Sequence, residues 1–249
     1  MTRIGTMRFL LYASIVLTSC KTSYLPSGAA YNHYPVNAQR AKDSSLSLLL
    51  KPYRDSVDLT MNQVVGNLEG ELVKKSPEGS LGNFMADAVL FGAEQKYNKK
   101  VDAAFVNSGG VRLTQMPKGN ITRGKIFELM PFDNIIVLQQ VKGEVFKQFL
   151  DVTAEKGGWP LAGLTMEIRN GKAQNVKVGG VPLDPARTYT IANSDYVVNG
   201  GDDAVMLKNI PQENNGYLMR DAIFDYLQSL KATGKKISTN EEKRVTNVQ

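Results

Sequence analysis

The chain of 249 residues is 42% hydrophobic, 22% charged and 8% aromatic, ordinary globular values that exclude a wholly disordered chain and leave enough apolar surface for a substantial core. Its formal charge is +6, two charges of which belong to Arg3 and Arg8 in a segment expected to be removed. The remaining lysine clusters, Lys96 with Lys99 and Lys100, then Lys231 with Lys235 and Lys236, stand among polar residues near expected helix ends and read as solvated faces, so no nucleic-acid partner is implied. A single histidine and a single cysteine exclude a histidine-rich metal centre, an intrachain disulfide and a structural zinc site.

The N-terminus reads as an address. Arg3 and Arg8 precede the apolar run from Phe9 to Leu17, which is too short for an ordinary transmembrane helix and has the length of a signal-peptide core. The following Leu17-Thr18-Ser19-Cys20 resembles the lipobox of bacterial lipoproteins. That resemblance implies a lipoprotein signal peptide over 1–19 and lipidation of Cys20. It also implies membrane attachment in the bacterial cell envelope, on the periplasmic side of the outer membrane. Acyl chains hold firmly because each buried methylene contributes about 0.8 kcal/mol. Residues 20–43 are rich in Ser, Tyr, Asn, Pro and Gly without periodicity and are expected to be a flexible tether; His33 lies inside it as a solvated residue.

A domain over 44–249 is expected to follow. Leu46, Leu49, Leu50, Tyr53, Val57 and Met61 recur at helical spacing, predicting a helix over 45–60 with one apolar face and a restart or kink at Pro52. Residues 64–68 read as a strand. A second helix is predicted over 81–97 with Leu81, Met85, Ala88 and Val89 inward, then a short buried strand over 103–107 closed by a glycine pair. Thr122 can cap a short helix ending at Leu129 before Pro131, a β-branched run predicts a strand over 134–141, and 143–155 returns to helix. Strands over 164–168 and 173–178 are joined by an Asn170-Gly171 hairpin turn, and 188–192 is a further strand. Residues 216–230 read as a closing amphipathic helix, and 235–249 as a polar tail with a last strand. Helices and strands mix without regular alternation or internal repeat, so the fold class is α+β, with a mixed β-sheet core covered by helices.

Two loops carry chemistry. In Asn107-Ser108-Gly109-Gly110-Val111-Arg112, two glycines follow a strand, so the backbone can turn sharply or admit a ligand closely, and an amide and a guanidinium flank the turn. Asn199-Gly200-Gly201-Asp202 is either a tight turn or a turn that aims a carboxylate at a ribose. Phe132 and Tyr196 stand on connections, where a pair of rings can sandwich a planar base. Core packing of either ring is the alternative.

These motifs, with Glu78-Gly79-Ser80-Leu81-Gly82-Asn83, Met130-Pro131-Phe132-Asp133-Asn134 and Pro182-Leu183-Asp184, are similar in order and spacing to the C-terminal, substrate-binding domain of the 5'-nucleotidase and UDP-sugar hydrolase family over 44–230. The resemblance implies a nucleotide or nucleoside ligand, with Phe132 and Tyr196 clamping the base and Asn134 contacting it. Asn107 and Arg112 supply the glycine-turn contacts, and Asp202 binds the ribose. Tyr196 stands where the family usually has phenylalanine. A family arginine just upstream of the Leu-Gly-Asn motif is replaced here by the stretch holding Lys74 and Lys75.

The family's hydrolysis uses two divalent metals in an N-terminal metallophosphoesterase domain, and no histidine set for such a centre stands in this sequence. No catalytic residue, metal ligand or cofactor is therefore assigned to this chain, and no Walker, nucleophile-elbow or zinc-protease motif offers a substitute. The first expectation is the nucleotide-recognition half of a split 5'-nucleotidase, hydrolytic only with a separate metallophosphoesterase that holds the metals. A non-catalytic nucleotide-binding lipoprotein and an envelope protein with a lapsed pocket are the alternatives.

Overall fold

The computed structural model describes residues 28–35, 37 and 43–248; the expected signal peptide over 1–19 and the expected lipidation site Cys20 lie outside the described residues. The chain divides into two units, Met1–Leu48 and Leu49–Gln249. In the first, 28–35 have no regular structure and are exposed, His33 included. Helix α1, Ser44–Met61, begins where Asp43 Oδ1 accepts from Leu46 N at 3.0 Å and runs unbroken through Pro52. None of its residues is buried. Its apolar face is uncovered: Leu49, Leu50, Tyr53 and Val57 are exposed, because a periodic stripe makes a helix amphipathic without supplying the surface that covers it.

In the second unit, β1 (Val64–Leu68) and β2 (Leu72–Val73) lead into α2 (Ser80–Tyr97), which ends on Asn98 in the left-handed region at φ 49°. β3 (Ala103–Phe105), β4 (Gln115–Met116) and β5 (Gly119–Thr122) follow; then comes α3 (Arg123–Leu129), capped by Thr122 accepting from Lys125 N. β6 (Ile135–Lys142) and α4 (Gly143–Glu155) precede β7 (Leu161–Ala162). The hairpin of β8 (Leu164–Arg169) and β9 (Lys172–Val178) turns on Asn170 and Gly171 at φ 52° and 70°, the positive pair that a two-residue hairpin needs. β10 (Val181–Pro182), β11 (Thr188–Ser194), α5 (Asp195–Val198), β12 (Gln212–Leu218), α6 (Met219–Thr233) and β13 (Val245–Asn247) complete the chain.

The sheet expectation resolves into a five-stranded mixed sheet, β12-β6-β11-β3-β7, a four-stranded mixed sheet, β10-β9-β8-β13, and the pairs β1-β5 and β2-β4. Strand alternation sends successive residues of the five-stranded sheet into different cores. Ala104, Ile136, Leu138 and Ala192 join Leu81, Met85, Ile223 and Leu227 of α2 and α6. Ala103, Phe105, Val141 and Ile191 join Phe146, Phe149 and Leu150 of α4, with Met166 and Val176 of the second sheet. α2 and α6 approach closely at Gly92, where a Cβ would fall 2.6 Å from that of Ala222.

The C-terminal segment is latched onto α2. Arg244 donates to both carboxylate oxygens of Asp87, at 2.7 and 2.8 Å, and to Leu161 O. Glu78, buried, accepts from Asn83 Nδ2 and from the backbone N–H groups of Glu242 and Val245. The motif around Glu78 is thus structural, as is that around Asp184, whose carbonyl lies too close to Gly143 to admit a Cβ there.

One element differs from expectation. Residues 216–218 belong to β12, and the closing helix starts only at Met219. β12 is an edge strand paired with β6, interrupted between Asn214 and Leu218 with Gly216 at φ 76°. Its Gln-Glu-Asn-Asn-Gly run is exposed and polar, so it shows none of the alternation that marks a half-buried strand.

Candidate functional site

β3 and β11 are parallel, and β6 runs antiparallel to β11. The carboxyl ends of β3 and β11 and the amino end of β6 therefore share one edge of the five-stranded sheet. The three segments that leave or enter there are 107–112, 131–134 and 195–203, so topology alone gathers the candidate residues of distant sequence positions.

In the first segment, Asn107 is 8% exposed and its Nδ2 donates to Asp202 Oδ2 at 2.7 Å. The two glycines differ. A Cβ on Gly110 would lie 2.9 Å from Asn107 Oδ1, so Gly110 makes room for that amide, whereas a Cβ on Gly109 would meet only Asn107 Nδ2 at 3.5 Å. Neither has positive φ. Among the described residues nothing demands glycine at 109, which leaves an approachable stretch of backbone at the edge. Lys74 Nζ donates to Ser108 O and Val111 O, each at 2.9 Å; it braces this loop from its backbone side. Lys75 pairs with Glu241.

In the third segment, Ser194 caps α5 and Asp195 Oδ1 accepts from Ile135 N at 3.1 Å, tying this connection to the start of β6. Gly200 turns at φ 94°, and Asp202 and Asp203 follow at 50° and 66°. Holding two side-chain-bearing residues in the left-handed region costs about 1–2 kcal/mol each, offset by bonds to their carboxylates. Asn107 and Tyr196 Oη engage Asp202, the latter at 3.2 Å, and Lys156 pairs with Asp203 at 2.6 Å. The Asp203 contact raises the Lys156 pKa above its ordinary value. Gly201 has a steric reason: a Cβ would sit 2.5 Å from Tyr196 Cε1, so the tyrosine ring lies against the glycine backbone.

At the corner before β6, Phe132 is 42% exposed and Tyr196 is 48% exposed. Neither ring is core packing. The Arg112 guanidinium stands over the Phe132 ring, 5.6 Å from its centroid, and donates to Gly109 O at 3.3 Å, linking the corner to the glycine turn. Asn134 is half-buried and its carbonyl accepts from Met219 N at 2.9 Å. Contacts thus run from Phe132 through Arg112 and the glycine loop to Asn107, Asp202 and Tyr196.

The edge offers aromatic faces, a guanidinium, amides and a carboxylate on an open surface. That set suits a planar heterocycle bearing hydroxyls and an anionic group. Among the described residues no group of three or more His, Cys, Asp or Glu is placed to hold a metal ion, so a two-metal centre does not fit the residues present. A groove of about 350 Å³ lies elsewhere, between Val65, Leu227, Lys231 and Ile237.

Sequence reasoning missed Arg220, Lys156 and Asp195 at this edge. It expected of Lys74 only a replacement cation, whereas its ammonium is directed to backbone carbonyls. A lone lysine or arginine carries no periodic or motif signal that reveals which distant carbonyl it reaches.

A family profile described as 5'-nucleotidase, C-terminal domain, matches residues 64–209. The chain is 30% identical over 236 residues to Protein UshA of Yersinia enterocolitica, covering 91% of this chain and 42% of the relative. It is 26% identical to a 5'-nucleotidase of Vibrio vulnificus, covering 91% and 41%. The crystal structure of a 5'-nucleotidase precursor from Thermus thermophilus superposes with a TM-score of 0.71 at 27% identity, over 82% of this chain and 43% of that one. The chain thus spans less than half the length of these relatives.

Proposed function

Because the chain belongs to the 5'-nucleotidase C-terminal domain family, we propose that it is the nucleotide-recognition half of a split 5'-nucleotidase, working with a separate metallophosphoesterase. In this reading Phe132 and Tyr196 clamp the base, Asn134 contacts it, Asp202 receives the ribose, and Asn107 and Arg112 complete the pocket. Cys20, lipidated, holds the domain at the periplasmic face of the outer membrane. The observation that carries the proposal is the convergence of Asn107, Arg112, Phe132, Tyr196 and Asp202 on one sheet edge from three separated segments.

The chemistry of hydrolysis belongs to the partner, whose two divalent metals polarise the phosphate and activate water. This chain's residues orient the substrate. Binding energy from the remote base raises kcat/KM only if it fixes the scissile ester against the partner's centre. The single histidine, in the exposed 28–35 segment, favours this division of labour over catalysis by the chain itself.

The test measures phosphate release from AMP and from a small aryl phosphate. Alone, with zinc or manganese added, the chain is expected to release none above background. Added to its metallophosphoesterase partner, it should raise kcat/KM for AMP far more than for the aryl phosphate, and Arg112→Ala or Asp202→Ala should erase that selectivity. Metal-dependent turnover by the chain alone would overturn the proposal. Equal stimulation of both substrates would show that the pocket does not couple the two halves. Calorimetric AMP binding with no partner-dependent stimulation would instead support the non-catalytic binder.

A further inference from the structure

We propose that Arg220, on the first turn of α6 and outside every motif of the family resemblance, positions the Phe132 ring for a planar heteroaromatic base; the inference rests on the nucleotide-binding reading above and adds its positioning residue. Arg220 is 8% exposed. Its Nη1 donates to the carbonyls of Met130 and Phe132, at 3.2 and 3.3 Å, and its Nη2 pairs with Asp133 Oδ1 at 2.5 Å. The same guanidinium lies over the Phe127 ring, 4.2 Å from its centroid, so the plane of the fork is set from below. One side chain thus brackets both carbonyls around Pro131 and the carboxylate that follows.

The corner needs such a brace. Pro131 has no N–H to donate, residues 131–133 are exposed, and β6 begins only at Ile135, so no strand ladder holds the peptide planes that aim the ring. Met219 N fixes Asn134 O at 2.9 Å, two residues beyond Phe132 and too far along to fix it. Arg112 touches the ring, but it is itself an exposed side chain. A purely structural filler at 220 would be apolar, since burying a guanidinium is costly without several well-placed partners. Asp133, whose side chain is 76% exposed, does not need Arg220 for its own solvation. The bonds that justify the buried charge are those to the backbone flanking Phe132. Lysine cannot reproduce them, because an ammonium lacks the planar fork and does not stack in the same way.

The experiment compares AMP with ribose 5-phosphate by calorimetry on the full chain and on Arg220→Lys and Asp133→Ala, with thermal unfolding measured alongside. The two ligands share sugar and phosphate and differ only in the base. For the wild type, AMP should bind more tightly. Arg220→Lys should weaken AMP about tenfold, part of what base stacking contributes, while leaving ribose 5-phosphate unchanged. Asp133→Ala should shift AMP in the same direction by a smaller factor, without loss of folding, since Asp133 is exposed. A merely structural Arg220 would lower the unfolding temperature and leave the AMP to ribose 5-phosphate ratio of the folded protein as it was, and that result overturns the proposal, as does an equal loss for both ligands. If Arg220→Lys does not fold, the ratio in Asp133→Ala decides: unchanged, it overturns the proposal. A wild type with no preference for AMP fails at the earlier step, and the nucleotide reading falls together with this one.

Discussion

Helices α1 and α2 are of equal length, 18 residues each, and both announce themselves in the sequence by apolar residues at helical spacing. α2 buries Leu81, Phe84, Met85, Ala88 and Val89 between α6 and the five-stranded sheet, and receives the Arg244 latch besides. α1 buries nothing. A stripe and its burial are therefore separate facts. The stripe is a property of the segment, whereas burial depends on whether another element presents a matching surface, and most helical stability in proteins comes from that second condition.

Substitutions in the two helices and at the latch test this distinction. The largest effect is expected in α2: Phe84→Ala removes a ring packed 6.1 Å from that of Tyr226 and should destabilise the domain by about 3–5 kcal/mol in urea unfolding. A loss below about 1 kcal/mol would mean that α2 is no better packed than α1.

The Arg244 latch comes next. Arg244→Met should cost about 3 kcal/mol, because it strands the Asp87 carboxylate without its partner. Burial already raises the Asp87 pKa, and the Arg244 contacts oppose that rise. With the arginine gone the pKa rises further. A raised folded-state pKa means stability that is present when the group is protonated and lost as pH rises through the folded pKa. The variant's deficit should therefore be larger at neutral pH than at about pH 4. A pH-independent deficit would show that Asp87 is not what the arginine compensates.

The smallest effect belongs to α1. Leu49→Ser and Tyr53→Ser should change stability by no more than about 0.5 kcal/mol, as for other exposed positions. A loss of about 1 kcal/mol or more from either would show that the stripe is covered in solution, and the two helices would then differ in partner rather than in burial.

How much of this was legible in the sequence varies by element. Helix bounds lie close to expectation for α2, α3 and α4, and the one boundary read from a capping side chain, Thr122 at the start of α3, is made as expected. The Asn170-Gly171 turn has the positive φ angles that its composition announces. The last three residues of β12 fell in the expected closing helix and the rest of it drew no expectation, because its Asn-rich run is solvated on an edge and carries no period. At the candidate site, Asn107, Arg112, Phe132, Asn134, Tyr196 and Asp202 were singled out from glycine turns, from rings on connections and from motif order. What gathers them was not visible, since it lies in the parallel pairing of β3 with β11 and the antiparallel return of β6.

The local terms are legible along the chain: which segments are helical, where backbone must turn, and which loops carry amides, rings and charges. Those follow from propensity, capping and side-chain chemistry within a few residues. Packing sets the rest: α1 stays uncovered, Lys74 braces the glycine loop at Ser108 and Val111, and Arg220 reaches back to the carbonyls of Met130 and Phe132. Each of these rests on groups far apart in the chain. A long flexible cation satisfies whichever carbonyls the packed backbone leaves within its reach, and no local pattern records which those are.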